Sequence, residues 1–282
     1  MDRLLFGDNQ FFGVNHMSEE KARAQAMRFR ETGAVIEVLD AALDEGIRTF
    51  MCTTHDRIGE ICGHLRANPA RYKGYVLYPC MPYAHKYNNA VAELGMLGAL
   101  NRFVPAGGIL QGGMALMTKD IERVMRLLID AEMKMFEGLH APVIFLQNVV
   151  VDFLMGLRFR EAFRVFAAHV KERYGAEPGF ITMNLPRLLD SLDEVGIENP
   201  IVCANINKIA FRMCGGREEY ERAIATRRFR PIAMSVFASG ALPAREALEY
   251  VCGQKAIRSI VFGASSRAHI RQTRQLVQEL DA

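Results

Sequence analysis

Apolar residues fall into eight short continuous runs along this chain, and each run is followed by residues at helical spacing. Continuous runs of this length are typical of strands that are buried on both faces of a parallel sheet. Eight strand–helix units in 282 residues predict an α/β fold, the (β/α)8 TIM barrel. A doubly wound sheet is the alternative, although its edge strands would be more polar. The predicted strands cover 4–7, 47–53, 75–80, 142–147, 179–184, 200–204, 231–236 and 258–262.

The segments between the strands predict the helices. Residues 18–46 have the pattern of one long amphipathic helix that Ser18 opens as N-cap. About sixty residues separate the third strand from the fourth, too many for one connecting helix. We therefore predict a single TIM-barrel domain over 1–282 with a helical insertion at 83–141. Glycine pairs on both sides of Gln111 favour a mobile lid over the barrel mouth, and a surface excursion is the alternative. Further helices are predicted at 56–65, 118–137, 163–173, 187–195, 217–226, 244–252 and 268–280.

Composition narrows the class of protein. Half of the residues are hydrophobic, 24% are charged and the net charge is +3, which does not indicate nucleic-acid binding. There is no signal-peptide pattern, and no apolar run reaches the ~18 residues that a membrane span needs. The six cysteines lack CxxC spacing, which predicts reduced thiols. We therefore expect a cytoplasmic protein whose partner is a small molecule, with no membrane or nucleic acid involved.

The carboxyl ends of the strands should carry the site, because TIM barrels place their active sites at that face. Amide side chains are frequent at these predicted strand ends. Amides there can hydrogen-bond a neutral polar ligand such as a carboxamide, although asparagine is also common in ordinary turns. The ligand-binding residues predicted on this basis are Asn9, Gln10, Gln147, Asn148, Asn184, Asn205 and the strand-seven residue Ser235.

The second strand end holds the candidates for acid–base chemistry. His55 lies beside Asp56, and a histidine has a pKa near working pH. Asp56 could instead only cap the following helix. Cys52 is a candidate nucleophile or a small buried thiol, and Tyr78 is a candidate proton donor.

Side chains that commonly bind metals also occur at or near the same strand ends. The Cys-x-x-His spacing among them is generic, and we expect no metal. The side chains concerned are His16, Cys52, His55, Asp56 and His85.

The last strand feeds a turn of small residues, Gly263–Ser266, and then a helix. The first N–H groups of a helix have no partner within it and the dipole there is positive, so such a turn can bind an anion. Ser265 and Ser266 could cap the helix or donate to the anion, and Arg267 and Arg271 add charge. An ordinary capped turn is the alternative.

Several segments resemble the aldo-keto reductase superfamily, and they cover most of the barrel in order. The segment VIEVLDAALDEGIRTF (35–50) resembles that family's first helix and second strand, and IGEICGHL (58–65) its G-x-E-x-x-L-G-x-x-L segment. AMSVFASGAL (233–242) resembles AYSPLASGLL at strand seven. VFGASSRAHIRQT (261–273) resembles the GASS-x-x-H-L-R-E-N motif, which holds the phosphate of the adenosine. The resemblance implies NADP or NAD as cofactor and places Asn184 and Asn205 where the family holds the nicotinamide carboxamide.

The chain departs from the family at all four catalytic positions. Met51 stands at the family's aspartate and Ile58 at its tyrosine. The lysine is absent from YPC (78–80), and Asn148 or Gln147 replaces the histidine. A carbonyl reductase needs a proton donor beside the hydride acceptor, so the usual chemistry should be lost.

Three interpretations stay open at this point. The first is an aldo-keto-reductase-like barrel that binds a nucleotide or another phosphorylated ligand, with Tyr78, Tyr83 or His55 as a new proton donor. The second is a non-redox lyase or isomerase that uses His55 with Asp56, or Cys52. The third is a catalytically inactive ligand-binding protein.

Overall fold

Eight parallel strands form a closed barrel in the computed structural model, which describes residues 1–14, 17–83 and 121–282. Each strand pairs with the next along the chain, and β8 pairs with β1 to close the sheet. The predicted TIM barrel is confirmed. Its strands are β1 Leu4–Gly7, β2 Thr49–Thr53, β3 Val76–Met81, β4 Val143–Leu146, β5 Glu177–Thr182, β6 Ile201–Asn205, β7 Arg230–Met234 and β8 Ser259–Phe262.

Ten α-helices lie in the described residues, and most follow the strands as predicted. They are α1 Glu19–Arg28, α2 Thr32–Asp44, α3 Asp56–Ala67, α4 Ile121–Met133, α5 Asn148–Gly156, α6 Glu161–Tyr174, α7 Leu185–Glu194, α8 Arg217–Thr226, α9 Ala244–Gly253 and α10 Arg267–Asp281. None of them is both long enough and apolar enough to cross a membrane.

Two helix predictions need correction. The single helix predicted over 18–46 is two helices, because the chain turns at Phe29 to bury that ring against Phe11, 5.0 Å away. Helix α1 buries none of its residues, whereas α2 packs its apolar face into the core. Helix α5 was not predicted. Its valine-rich start is typical of a strand, and packing against the barrel overrides that local preference.

The predicted insertion is described only at its C-terminal end. Helix α4 and a 3₁₀ turn at Lys134–Phe136 lead into β4, and α4 packs on α6. Residues 84–120, with Gln111 and its flanking glycines, lie outside the described residues.

The barrel interior is filled by side chains from alternate strand positions, including Leu5, Tyr78 and Phe145. Gly179 on β5 makes room for the Phe145 ring. A Cβ at Gly179 would lie 2.4 Å from two atoms of that ring, which is well inside contact distance. The interior is therefore a packed core rather than a pore, and a ligand site has to lie at the carboxyl ends of the strands.

Replacing Gly179 by alanine should destabilise the barrel. The added methyl group overpacks the interior against Phe145, and overpacking costs about 1–3 kcal/mol. Chemical denaturation measures the change in the free energy of unfolding. Gly63→Ala in α3 is the matched control, because no atom of the described residues lies within 4 Å of its added Cβ, and it should leave stability unchanged or raise it. Equal stability of the two variants would contradict this packing account.

Candidate functional site

A buried carboxyl group lies at the barrel mouth between β1 and β2. Asp8 directly follows β1 and is 5% exposed. Its Oδ2 accepts hydrogen bonds from the backbone N–H and the hydroxyl of Thr53, both at 2.7 Å. Thr53 ends β2, so the carboxyl ends of two neighbouring strands share one acid. The sequence alone did not indicate Asp8 as an acid–base residue.

Burial raises the pKa of Asp8 to about 6, although the two hydrogen bonds from Thr53 favour its ionised form. Loss of hydration therefore outweighs hydrogen bonding at this position. A carboxyl with such a pKa is partly protonated near neutral pH, so it can give or take a proton there.

His55 is placed by the start of α3 rather than by Asp56. Its Nδ1 accepts the backbone N–H of Arg57 at 3.0 Å, so His55 is the N-cap. The interpretation of Asp56 as the cap is therefore wrong, and Asp56 is an exposed residue in the first turn.

The ring of His55 lies between two aromatic side chains. It stacks on Phe12 with ring centroids 4.3 Å apart, and it makes a T-shaped contact with Tyr83 with ring centroids 5.1 Å apart. Desolvation and then the nearby charge of Asp8 raise the pKa of Tyr83. The structure thus brings Asp8, His55 and Tyr83 together from three consecutive strand ends.

Two other catalytic candidates lie away from this group. Burial, followed by the neighbouring Cys62, raises the pKa of the fully buried Cys52 thiol, which disfavours the nucleophilic thiolate. Tyr78 lies in the barrel interior with its ring 5.8 Å from that of Phe145. Burial raises its pKa to about 12, and the charge of Asp2 contributes to the shift. Catalytic roles for both stay predictions without support from these contacts.

The amides at the β1 end have different surroundings. Asn9 is exposed on a short 3₁₀ turn. Gln10 is buried, and its Nε2 donates to the carbonyl oxygen of Gly7 at 2.8 Å. Its Oε1 lies against Gly263, where a Cβ would come within 2.1 Å of that oxygen. Gln10 therefore joins the β1 end to the β8 turn by packing.

The amide side chains on the opposite side of the mouth lie at helix starts or bond to loop backbone. Gln147 and Asn148 are half-buried at the start of α5. Asn184 caps α7 by accepting the N–H of Arg187, and Asn205 donates its Nδ2 to the carbonyl oxygen of Arg212 at 2.9 Å. Within the described part of the chain, Asn184 Nδ2 and Asn205 Oδ1 have no hydrogen-bond partner.

A second carboxyl group borders these amides and was missed from the sequence. Asp152 lies on α5 and accepts hydrogen bonds from the Thr182 hydroxyl at 2.6 Å and from the Met183 N–H at 3.1 Å. Burial raises the pKa of Asp152. The missed helix α5 explains why the sequence did not place it here.

The β8 turn has the geometry of a capped helix start. Ser266 is the N-cap of α10, and its Oγ accepts the N–H of His269 at 3.4 Å. The guanidinium of Arg28, at the end of α1, donates to the carbonyl oxygen of Ser265 at 2.5 Å. On the neighbouring β7 loop, Ser235 has a left-handed backbone with φ of 54°.

The two arginines predicted for this turn are held by acids at the end of α2. Arg267 donates to Asp44. Arg271 donates to Glu45 at 2.8 Å, and Arg274 lies 3.5 Å from the same carboxylate. The Arg271 contact is the main reason that the pKa of Glu45 is lowered. The structure therefore does not bring Arg271 to the turn, whereas it brings Arg28, which the sequence did not indicate.

Among the described residues, no three histidine, cysteine, aspartate or glutamate side chains are grouped as a metal site. His16 and His85 of the considered set lie outside the described residues.

No family model and no curated protein matches this sequence, but solved structures match its fold. A Pseudomonas aeruginosa protein provisionally described as an aldo-keto reductase is 14% identical, covers 99% of this chain and 90% of its own, and gives a TM-score of 0.61. An aldo/keto reductase from Brucella melitensis is 10% identical over 99% of this chain and 93% of its own, with a TM-score of 0.54. The chain therefore has the barrel fold seen in aldo-keto reductase structures.

Replacing Asp8 by asparagine should change the pH dependence of stability. Because the folded-state pKa is raised from 3.8 to about 6, the wild-type chain loses stability as pH rises through that window. Asparagine has no such loss and can still accept from Thr53. The free energy of unfolding of Asp8→Asn relative to wild type should rise by on the order of 2 kcal/mol between pH 4 and 7. Denaturation at several pH values measures it.

Glu198→Gln is the control, since Glu198 is an exposed carboxylate. The difference in the free energy of unfolding between Glu198→Gln and wild type should stay constant between pH 4 and 7. A flat difference for Asp8→Asn as well would show that Asp8 is not desolvated in the folded protein.

Proposed function

We propose that this chain binds a nicotinamide nucleotide, NADP or NAD, at the barrel mouth and acts as an oxidoreductase without the usual aldo-keto reductase residues. The shared barrel fold supports the proposal. The observation that carries it is the β8 turn, where the N-terminus of α10, its serine cap and Arg28 meet in one place. A helix N-terminus with an adjacent guanidinium suits a phosphate group.

The amides at the ends of β5 and β6 suit the other end of such a nucleotide. A carboxamide needs one donor for its oxygen and one acceptor for its N–H groups. Asn184 Nδ2 and Asn205 Oδ1 offer one of each, and both lack a partner in the described structure. The two side chains therefore carry the kinds of donor and acceptor that a nicotinamide carboxamide needs.

The proton would come from the group at the ends of the first three strands. A reduced nicotinamide, when bound, would supply a hydride to a carbonyl carbon, and the carbonyl oxygen would need a proton from the chain's own residues. Asp8 has a pKa matched to proton transfer near neutral pH, and Tyr83 and His55 lie beside it. In this proposal these residues replace the family's proton donor.

We also propose a cytoplasmic location, because none of the six cysteines is in a disulfide.

Nucleotide binding should raise thermal stability, and Arg28→Ala should weaken that effect. A ligand at 100 times its Kd adds about 2.7 kcal/mol to the folded state. Losing the Arg28 contact should weaken NADPH or NADH binding roughly tenfold, which corresponds to about 1.4 kcal/mol. Thermal-shift titration of wild type and variant measures both. Arg258→Ala is the matched control, because Arg258 is an exposed arginine directly before β8 and so lies at the opposite end of the barrel from the mouth.

Two outcomes would change the proposal. No shift with either nucleotide at millimolar concentration would rule out the nucleotide. A shift with inorganic phosphate alone would instead support a phosphorylated ligand and the lyase or isomerase interpretation.

A further inference from the structure

Besides Asp8, another acidic side chain, that of Glu132, contacts the end of β2 from outside the barrel. Glu132 lies one residue before the end of α4, and only 1% of it is exposed. Its Oε2 accepts the hydroxyl of Thr54, which is fully buried. Thr53 and Thr54 are consecutive, and Thr53 donates to Asp8. The end of β2 is therefore held by one buried carboxyl on each side.

The direction of the Thr54 hydrogen bonds links Glu132 to Tyr83. A threonine hydroxyl has one proton to donate and two lone pairs that accept. With the proton directed at Glu132, the oxygen is free to accept, and it accepts the backbone N–H of Tyr83 at 3.0 Å. Glu132 thus selects the hydroxyl orientation that Tyr83 needs.

The same contact determines where two rings of the mouth lie. Tyr83 follows β3 after one residue, Pro82. The hydrogen bond from its backbone N–H to the Thr54 hydroxyl ties it to the neighbouring strand end. Its ring makes a T-shaped contact with that of His55, which directly follows Thr54. A shift of Tyr83 would therefore change the contact between the two candidate proton donors.

Helix α4 is itself held to the barrel by a polar contact. Asp130, two residues before Glu132, contacts His169 Nε2 at 2.8 Å and accepts the Tyr174 hydroxyl at 2.5 Å. His169 and Tyr174 are both on α6, and His169 is buried. Asp130 and Glu132 are about half a turn apart on α4, so the contact between Asp130 and α6 also fixes the position of Glu132.

We infer that Glu132 is a positioning residue, which acts through the Thr54 hydroxyl to hold Tyr83 against His55. No atom of Glu132 is required to touch a ligand. The inference rests on the proposed function only for the reaction that the two rings would serve; the positioning itself is a property of the chain.

The ring of His55 provides the test. Histidines labelled with ¹³C at Cε1 give one resonance each, and His55→Gln identifies the one among seven. Thr54→Val removes the hydroxyl while keeping the shape of the side chain, so the His55 resonance should move toward its position in Tyr83→Leu. Thr54→Ser keeps the hydroxyl and should leave the resonance near its wild-type position.

Two further variants complete the series. Glu132→Gln keeps an acceptor for Thr54 and should behave as wild type, whereas Glu132→Leu should behave as Thr54→Val. Thr226→Val is the control, since the Thr226 hydroxyl donates within its own helix, to the Arg222 carbonyl oxygen. A lower melting temperature with an unmoved His55 resonance in Thr54→Val would show a structural role alone and overturn the inference.

If the variants fail to fold, hydrogen exchange of the wild-type chain tests the same inference. The Tyr83 amide should exchange with solvent more than roughly tenfold slower than an unprotected amide, because its partner is fully buried. Unprotected exchange would overturn the inference. Both readouts work without nucleotide, so a failed NADPH titration would count against the proposed function and leave the positioning result intact.

Discussion

The pairing of β8 with β1 is the constraint on which the rest of the structure depends. Leu4, Leu5 and Phe6 lie opposite Ile260, Val261 and Phe262, and this register turns an open sheet into a barrel. Arg3 reinforces the junction by bonding to Asp281 at the end of α10. Closure satisfies the backbone groups that edge strands would expose, and it collects the carboxyl ends of all eight strands in one mouth.

Closure also decides which side chains are available for chemistry. Inward positions below the mouth must fill a narrow interior, so Tyr78 and Phe145 pack there and Gly179 makes room for Phe145. Residues just beyond the strand ends reach the mouth. Asp8 is one of these, and the same packing that excludes water around it raises its pKa. Its proton affinity therefore follows from the way the barrel closes.

Hydrogen bonds across neighbouring strand ends then organise the mouth. Asp8 joins β1 to β2 through Thr53, and Thr54 joins β2 to Tyr83 beyond β3. Asp152 does the same on the opposite side through Thr182. Buried polar groups are costly unless paired, so each of these acids is fixed by the groups it satisfies. The result is a mouth with two acidic regions and the helix N-terminus of α10 between β1 and β7.

The sequence by itself determined the barrel, because its evidence is local: eight apolar runs and the helical spacing that follows each of them. It also placed His55, Asn184 and Asn205 at strand ends. Only the tertiary structure decided which of these residues meet. Asp8 bonds to Thr53 and Glu132 to Thr54 across 45 and 78 positions of the chain. Arg271 bonds to Glu45 across 226 positions, away from the turn beside it in sequence. Partners so distant leave no periodic signal, since folding alone brings them within hydrogen-bonding distance.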